Sequence, residues 1–325
     1  MTIRTYCWAI VDAMREEMER DKNVFLIGED VAAAGGAFGA SRGLHKAFGP
    51  LRVRDTPISE EVIVGLAVGA AMTGKRPVVE IMFMDFFGLC LDQIANQAAK
   101  MHYLYNGAFP MPMVIRTSVA VEMGIGPHHS QMLESWVGHV PGLKVVMPTT
   151  PRDAKGLLKA AIRDNNPVIF IEHLALHRMK EEIDEDEDRV IPLGKADIKR
   201  VGRDVTVVAT GLMVQKSLDA GAELAKEGIE IEVIDPRTIS PLDMDTIAAS
   251  VRKTNRALVV TSAHKPFGFG SEVAAEIMDR AFYDLDVPVR RLTPPFTPQP
   301  FGKGFEQFLH PDATRIAANV REMLA

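Results

Sequence analysis

The chain is short of cysteine, of basic excess and of long apolar runs, and each shortage excludes a class of protein. Two cysteines in 325 residues, Cys7 and Cys90, cannot build a disulfide framework. Both lie in apolar stretches, so they are expected as small core side chains. Lys and Arg number 37 against 43 Asp and Glu, a net charge of −6, which argues against general nucleic-acid binding. No apolar run approaches the roughly 18 residues of a membrane-spanning helix. The start, Met1-Thr-Ile-Arg-Thr-Tyr6, lacks the charged-then-apolar layout of a signal peptide. A soluble, cytoplasmic protein is expected. There is no Gly-x4-Gly-Lys-Ser/Thr phosphate loop and no His-Glu-x-x-His zinc motif.

What is present reads as ordinary globular material, with 47% hydrophobic and 25% charged residues. At about 150 residues per domain the length suggests two domains. The negative charge is concentrated: residues 181–188 carry seven acids and no base, and the rest of the chain is close to neutral. High charge without apolar periodicity makes that run a linker or solvated loop, or an electrostatic docking patch for a basic partner surface.

Along the chain, short apolar strands alternate with helices. Trp8, Val11, Met14 and Met18 share one face of a helix over 8–20, followed by a strand at 24–27. A Gly- and Ala-rich helix follows Pro57, and strands are expected at 77–83, 112–117, 143–147 and 167–172, with helices over 87–103 and 152–163. Beyond the acidic run the alternation resumes, with strands near 205–209, 229–234, 257–261 and 287–292. The pattern predicts an α/β chain with two doubly wound, parallel-sheet domains at 1–178 and 192–325, joined by an acidic linker over 179–191.

Gly268-Phe-Gly270-Ser-Glu-Val273 imitates a dinucleotide fingerprint. Its third glycine is missing, and the loop from the preceding strand is too long for the tight turn that motif requires. A helix-entry loop is the better reading. His128-His129-Ser-Gln131 follows a strand end, where doubly wound folds place ligand clefts. Glu60 opens a helix, which the macrodipole alone would explain. Glu80 sits inside an apolar strand and must be paired, hydrogen-bonded or shifted in pKa. Asp85 and Asp92 also have apolar sequence neighbours. Several acids where burial is expected, without a metal-ligand cluster, favour acid/base or cofactor-protonation chemistry.

Asp55-Thr-Pro-Ile-Ser-Glu60, Glu80-Ile-Met-Phe-Met-Asp-Phe86, Asp92-Gln-Ile-Ala-Asn-Gln-Ala-Ala-Lys100 and His129-Ser-Gln131 occur in that order. Pro141-Gly-Leu-Lys-Val-Val146, Asp153-Ala-Lys-Gly156 and Ile162-Arg-Asp-Asn-Asn-Pro167 follow. The set resembles the beta subunit of the thiamine-diphosphate-dependent first component of 2-oxo acid dehydrogenase complexes. Met82–Cys90, Glu172-His173 and Thr297–Phe301 look most like acetoin dehydrogenase beta subunits; pyruvate and branched-chain relatives share the other motifs.

The resemblance implies a pyrimidine-binding domain followed by a transketolase C-terminal-like domain. It also implies a partner alpha subunit in an α₂β₂ tetramer, which supplies the Mg²⁺- and diphosphate-binding Gly-Asp-Gly…Asn-Asn motif. This chain has no Gly-Asp-Gly. By the same matching, Glu60 is the carboxylate that bonds the cofactor's aminopyrimidine ring and favours its base-competent tautomer. Phe86 would stack on that ring, Ile58 and Met82 would line its pocket, and Glu29 would lie close to it. His129 would serve proton movement or acyl transfer to a lipoyl acyltransferase component. Asp164, with carbonyls of Met113, Ala161, Ile162 and Asn166, would hold K⁺. Ser262 stands where the family usually has glutamate, and Glu122 and Met123 replace the usual small residues before the histidine. These departures bear on substrate choice.

Overall fold

The computed structural model describes residues 2–183 and 188–325. They form two compact units: residues 1–119 with 136–193, and 120–135 with 194–325.

The first unit is built on parallel strands in the order Lys144–Val146, Val168–His173, Val114–Val119, Arg76–Phe83, Val24–Gly28, Val53–Asp55. The central strands are buried along nearly their whole length, as expected for a parallel sheet covered on both faces. Helix Tyr6–Arg20 is capped by Thr5, whose side chain accepts from the Trp8 N–H. Helix Pro151–Arg163, which packs on it, begins with Thr150 as cap and proline in the first turn. The Gly/Ala-rich helix is Glu60–Met72.

The second unit has the strand order Arg290–Leu292, Ala257–Val260, Val205–Ala209, Ile231–Asp235, Asp197–Arg200. The last strand is antiparallel, so this sheet is not wholly parallel as expected. Helices Leu212–Ala225 and Ala313–Leu324 bury Val214, Leu224, Ile316 and Val320 against Val205, Val207 and Val233.

Three sequence expectations are corrected. The segment 87–103 is not one helix: it runs as Phe87–Asp92, a π-helical stretch Gln93–Ala98 and a short turn of helix Met101–Leu104. Gly142 (φ 105°) presses so closely there that an added Cβ would lie 2.1 Å from the Ala99 carbonyl oxygen. Second, the expected linker over 179–191 begins as a strand. Lys180–Ile183 pairs antiparallel with Thr2–Thr5, and Glu181 accepts the Arg152 N–H at 2.9 Å. Backbone pairing outweighs the charge because alternate acids can still point to water. Asp188 bonds Arg163 at 2.7 Å and Lys159 at 2.5 Å; the rest of the acidic run, 184–187, lies outside the described residues. Third, Asp92 is exposed and accepts from Asn96 at 2.6 Å, instead of lying among apolar groups. No helix among the described residues is long and apolar enough to cross a membrane.

Candidate active site

In the first unit the site is assembled at the carboxyl ends of parallel strands. Strand Val24–Gly28 ends at Glu29, and Gly28 pairs in register with both Asp55 and Glu80. The turn Asp55–Glu60 is tied to that end: the Thr56 N–H donates to the Gly28 carbonyl at 3.0 Å, and Asp55 accepts the Ala32 N–H at 2.7 Å. This brings Glu29 and Glu60 to one place. Burial raises the pKa of Glu29, and the nearby charges of Glu60, Asp30 and Glu80 raise it further. Gly28 is required here, since a Cβ would meet the Glu80 carbonyl oxygen at 2.8 Å.

Glu60 is only 6% exposed, at the first position of its helix. Among the described residues its carboxylate receives no hydrogen bond or ion pair from any side chain, and the Thr56 hydroxyl nearby in sequence is buried without a partner. A carboxylate largely shielded from water and without a donor is costly. The helix N-terminus offsets part of that cost; a ring N–H supplied by a ligand would offset more. Phe86 lies in the turn Met84–Phe86 after strand Arg76–Phe83, edge-on to Phe83 at 5.7 Å between centroids, and Met82 is half-buried. Ile58 is 82% exposed, so it lines no enclosed pocket within this chain.

Behind Glu80 lies a charged network hidden in the sheet. Arg116 donates to Glu80 at 2.9 Å and to Glu172 at 2.7 Å; Glu172 lies 3.3 Å from His177. Burial raises the pKa of Glu80 despite Arg116, whereas Arg116 and then His177 overcome burial to hold Glu172 low. Burial opposes charge on His177, but the neighbouring Cys7 and Glu172 side chains outweigh it and raise its pKa to about 9. The expectation for Glu80 is met in both respects. Arg116 and His177 do not stand out in the sequence, and Glu172 does so only within the Glu172-His173 motif; a charged residue inside an apolar strand was the available signal for Arg116 and Glu172. Cys7 is half-buried and its thiol donates to the Phe38 carbonyl at 3.6 Å, so it is not the plain core residue expected. Cys90 is buried, and burial first, then Glu60 and Glu61, push its thiol up to about 12.

His129 falls in the second unit, on the segment 120–135, and is half-buried; its N–H donates to the Gly126 carbonyl at 3.3 Å. His128 beside it is exposed. Ser262 is buried, with no partner for its hydroxyl among the described residues. Gly268 caps helix Phe269–Ala281, where a Cβ would lie 2.1 Å from the His264 carbonyl oxygen. The fingerprint-like glycines therefore serve packing.

Ala161, Ile162, Asp164 and Asn166, named for the cation shell, lie at the end of helix Pro151–Arg163, and Met113 precedes the neighbouring strand Val114–Val119. Asp164 accepts from Lys144 at 2.5 Å and from the Asn166 side chain at 2.9 Å. The carbonyls of Ile162 and Asp164 each accept from Arg76 at 2.9 Å. The Met113 and Ala161 carbonyls accept the N–H groups of Val168 and Asp164. Every one of these carbonyl oxygens retains a second lone pair, so hard-oxygen donors for a monovalent cation are present.

Two family matches cover this architecture. Residues 4–179 match the transketolase pyrimidine binding domain and residues 194–316 the transketolase C-terminal domain. A split-gene transketolase in an inactive β4 tetramer shares the fold, with TM-score 0.81 and 21% identity over 98% of this chain and 97% of that one. The chain is therefore a transketolase-like α/β protein of the thiamine-dependent class.

Closer relatives narrow the class. The acetoin:2,6-dichlorophenolindophenol oxidoreductase subunit beta of Cupriavidus necator is 45% identical over 97% of this chain and 96% of that protein. The pyruvate dehydrogenase E1 component subunit beta of Bacillus subtilis is 46% identical (99% and 100% covered), and its 2-oxoisovalerate dehydrogenase subunit beta 44% (99% and 99%). The chain belongs to the beta subunits of the thiamine-diphosphate-dependent acetoin and 2-oxo acid dehydrogenases.

Proposed function

We propose that this chain is the cofactor-activating half of an acetoin dehydrogenase. It would work in an α₂β₂ assembly that cleaves acetoin and passes the acyl unit to a lipoyl acyltransferase. The observation that carries this is Glu60, nearly buried, without a side-chain donor among the described residues and beside Glu29, whose pKa is raised. Thiamine diphosphate, when bound, supplies a carbon nucleophile and an electron sink.

The chain's own residues act around it. Glu60 accepts a hydrogen bond from the protonated aminopyrimidine ring, a charge-assisted contact strengthened by burial. Phe86 would stack on the ring, and Ile58 and Met82 would shield it where another subunit covers Ile58. Glu29 lies at the edge of the same carboxylate group. His129 holds or moves a proton at its imidazole during acyl transfer. Mg²⁺ and the diphosphate fall to the alpha subunit, since this chain has no Gly-Asp-Gly. At the Asp164 turn the proposed occupant is K⁺, sharing the Ile162 and Asp164 carbonyls with Arg76.

The deciding experiment is Glu60→Gln in the reconstituted tetramer. Loss of turnover by at least about a hundredfold is expected, the scale of a lost general acid/base contribution. Near-normal turnover with cofactor bound would sink the assignment. Because the pyruvate and 2-oxoisovalerate relatives are as similar as the acetoin ones, a panel of acetoin, pyruvate and branched-chain 2-oxo acids decides the substrate. A clear preference for a 2-oxo acid would replace acetoin in this reading.

A further inference from the structure

The segment that carries His129 has little regular structure of its own. Among the described residues its strand-like contact is an isolated bridge from Ile125 to Phe301. What fixes its course is a carboxylate. Glu306, in helix Lys303–Leu309, is fully buried. Its Oε1 accepts the Glu122 N–H at 2.7 Å and its Oε2 accepts the Gly124 N–H at 2.6 Å. Both amides belong to left-handed residues, Glu122 at φ 65° and Gly124 at φ 77°. Closely spaced N–H groups in such a turn form a concave anion site, and here the anion is a side chain of the same chain.

The surroundings lock the same turn from other sides. The Gly302 N–H donates to the Gly124 carbonyl at 3.0 Å. A Cβ on Gly124 would lie 2.4 Å from the Lys303 nitrogen, and one on Gly126 would lie 2.3 Å from the Phe301 ring. Lys216 bonds the Glu122 carboxylate and, at 3.1 Å, the Pro311 carbonyl. From the clamped turn the chain runs through Gly126, whose carbonyl takes the His129 N–H, to Ser130, whose hydroxyl donates to the Ala120 carbonyl at 3.4 Å. The exposed Met123 sits between the two clamped amides.

We propose that Glu306 is a positioning residue for the reaction: its carboxylate fills the backbone anion site at 122–124 and thereby sets the segment that presents His129. The proposal rests on the catalytic role given to His129 above. It makes a demand that mere packing would not, because a small free carboxylate should substitute for the missing side chain.

The test uses the assembled enzyme carrying Glu306→Ala, Glu306→Gln and, separately, His129→Ala. Turnover in Glu306→Ala should fall roughly tenfold to a hundredfold, the scale of a displaced reacting group, with thiamine diphosphate affinity unchanged. Added formate should restore part of that loss, while chloride at equal ionic strength should not. Glu306→Gln, nearly isosteric, should show the same loss without formate rescue, and amide exchange should quicken at Glu122 and Gly124. Full turnover in Glu306→Gln, or a loss in Glu306→Ala that formate leaves untouched, overturns the proposal. If His129→Ala itself keeps full turnover, the parent reading of His129 fails instead, whatever the Glu306 variants do.

Discussion

Arg116 and Glu80 face each other across neighbouring parallel strands, 2.9 Å from Nη1 to Oε2, with side chains only 2% and 9% exposed. The same guanidinium reaches Glu172, so one cation serves two buried carboxylates, and the protonated His177 next to Glu172 restores neutrality. This network lies directly behind Glu80, whose charge is felt at Glu29. It therefore joins the sheet's interior to the site's electrostatics.

Removing the shared cation leaves the buried Glu80 carboxylate without a partner and Glu172 with His177 alone. Arg116→Met is expected to cost about 3–5 kcal/mol, the usual penalty for breaking a buried ion pair from one side. Equilibrium denaturation in urea measures it. A cost below about 1 kcal/mol, the value of a surface pair, would show that the network contributes little.

Glu134 is fully buried, with neither carboxylate oxygen partnered among the described residues, and burial raises its pKa to about 7 from 4.5. The folded state thus holds its proton more tightly than the unfolded chain. The stability linked to it is complete below the unfolded value of 4.5 and is lost as pH rises toward 7. The total is about 3 kcal/mol, at about 1.4 kcal/mol per unit. Glu134→Gln is expected to flatten the fall in stability across that window. An unchanged slope in denaturation midpoints from pH 4.5 to 7 would refute the assignment.

Arg76 bonds the Ile162 and Asp164 carbonyls and the Asn165 side chain, so it already brings positive charge to the proposed potassium turn. Arg76→Met should lower stability by roughly 1–3 kcal/mol. It should also make the thermal midpoint depend more steeply on potassium, which alone would then serve those oxygens. Midpoints in potassium and choline chloride at equal ionic strength provide the comparison. Equal dependence in parent and variant would remove potassium from the turn.

Much of this protein was legible in its sequence. Apolar runs broken by Gly and Pro located the strands, because a strand buried on both faces tolerates little else. The ordered motifs around Glu60 and His129 pointed to the family, because in the function proposed above they serve a cofactor whose chemistry does not change. The acid inside strand Arg76–Phe83 announced that a partner had to exist.

Other features required the tertiary structure. Which residue neutralises Glu80 depends on strand register, and Arg116 is its partner only because Val114–Val119 lies next to Arg76–Phe83. The start of the acidic run, Glu181-Glu182-Ile183, has the composition of a solvated loop, yet the N-terminal strand Thr2–Thr5 pairs with it. Glu306 is separated from Glu122 by 184 positions, and no local pattern marks a side chain whose partners are two distant backbone amides. Residue type and spacing determined the chemistry and the family. Register and long-range packing decided which charges meet, because a hydrogen bond is a statement about distance in space and sequence records only distance along the chain.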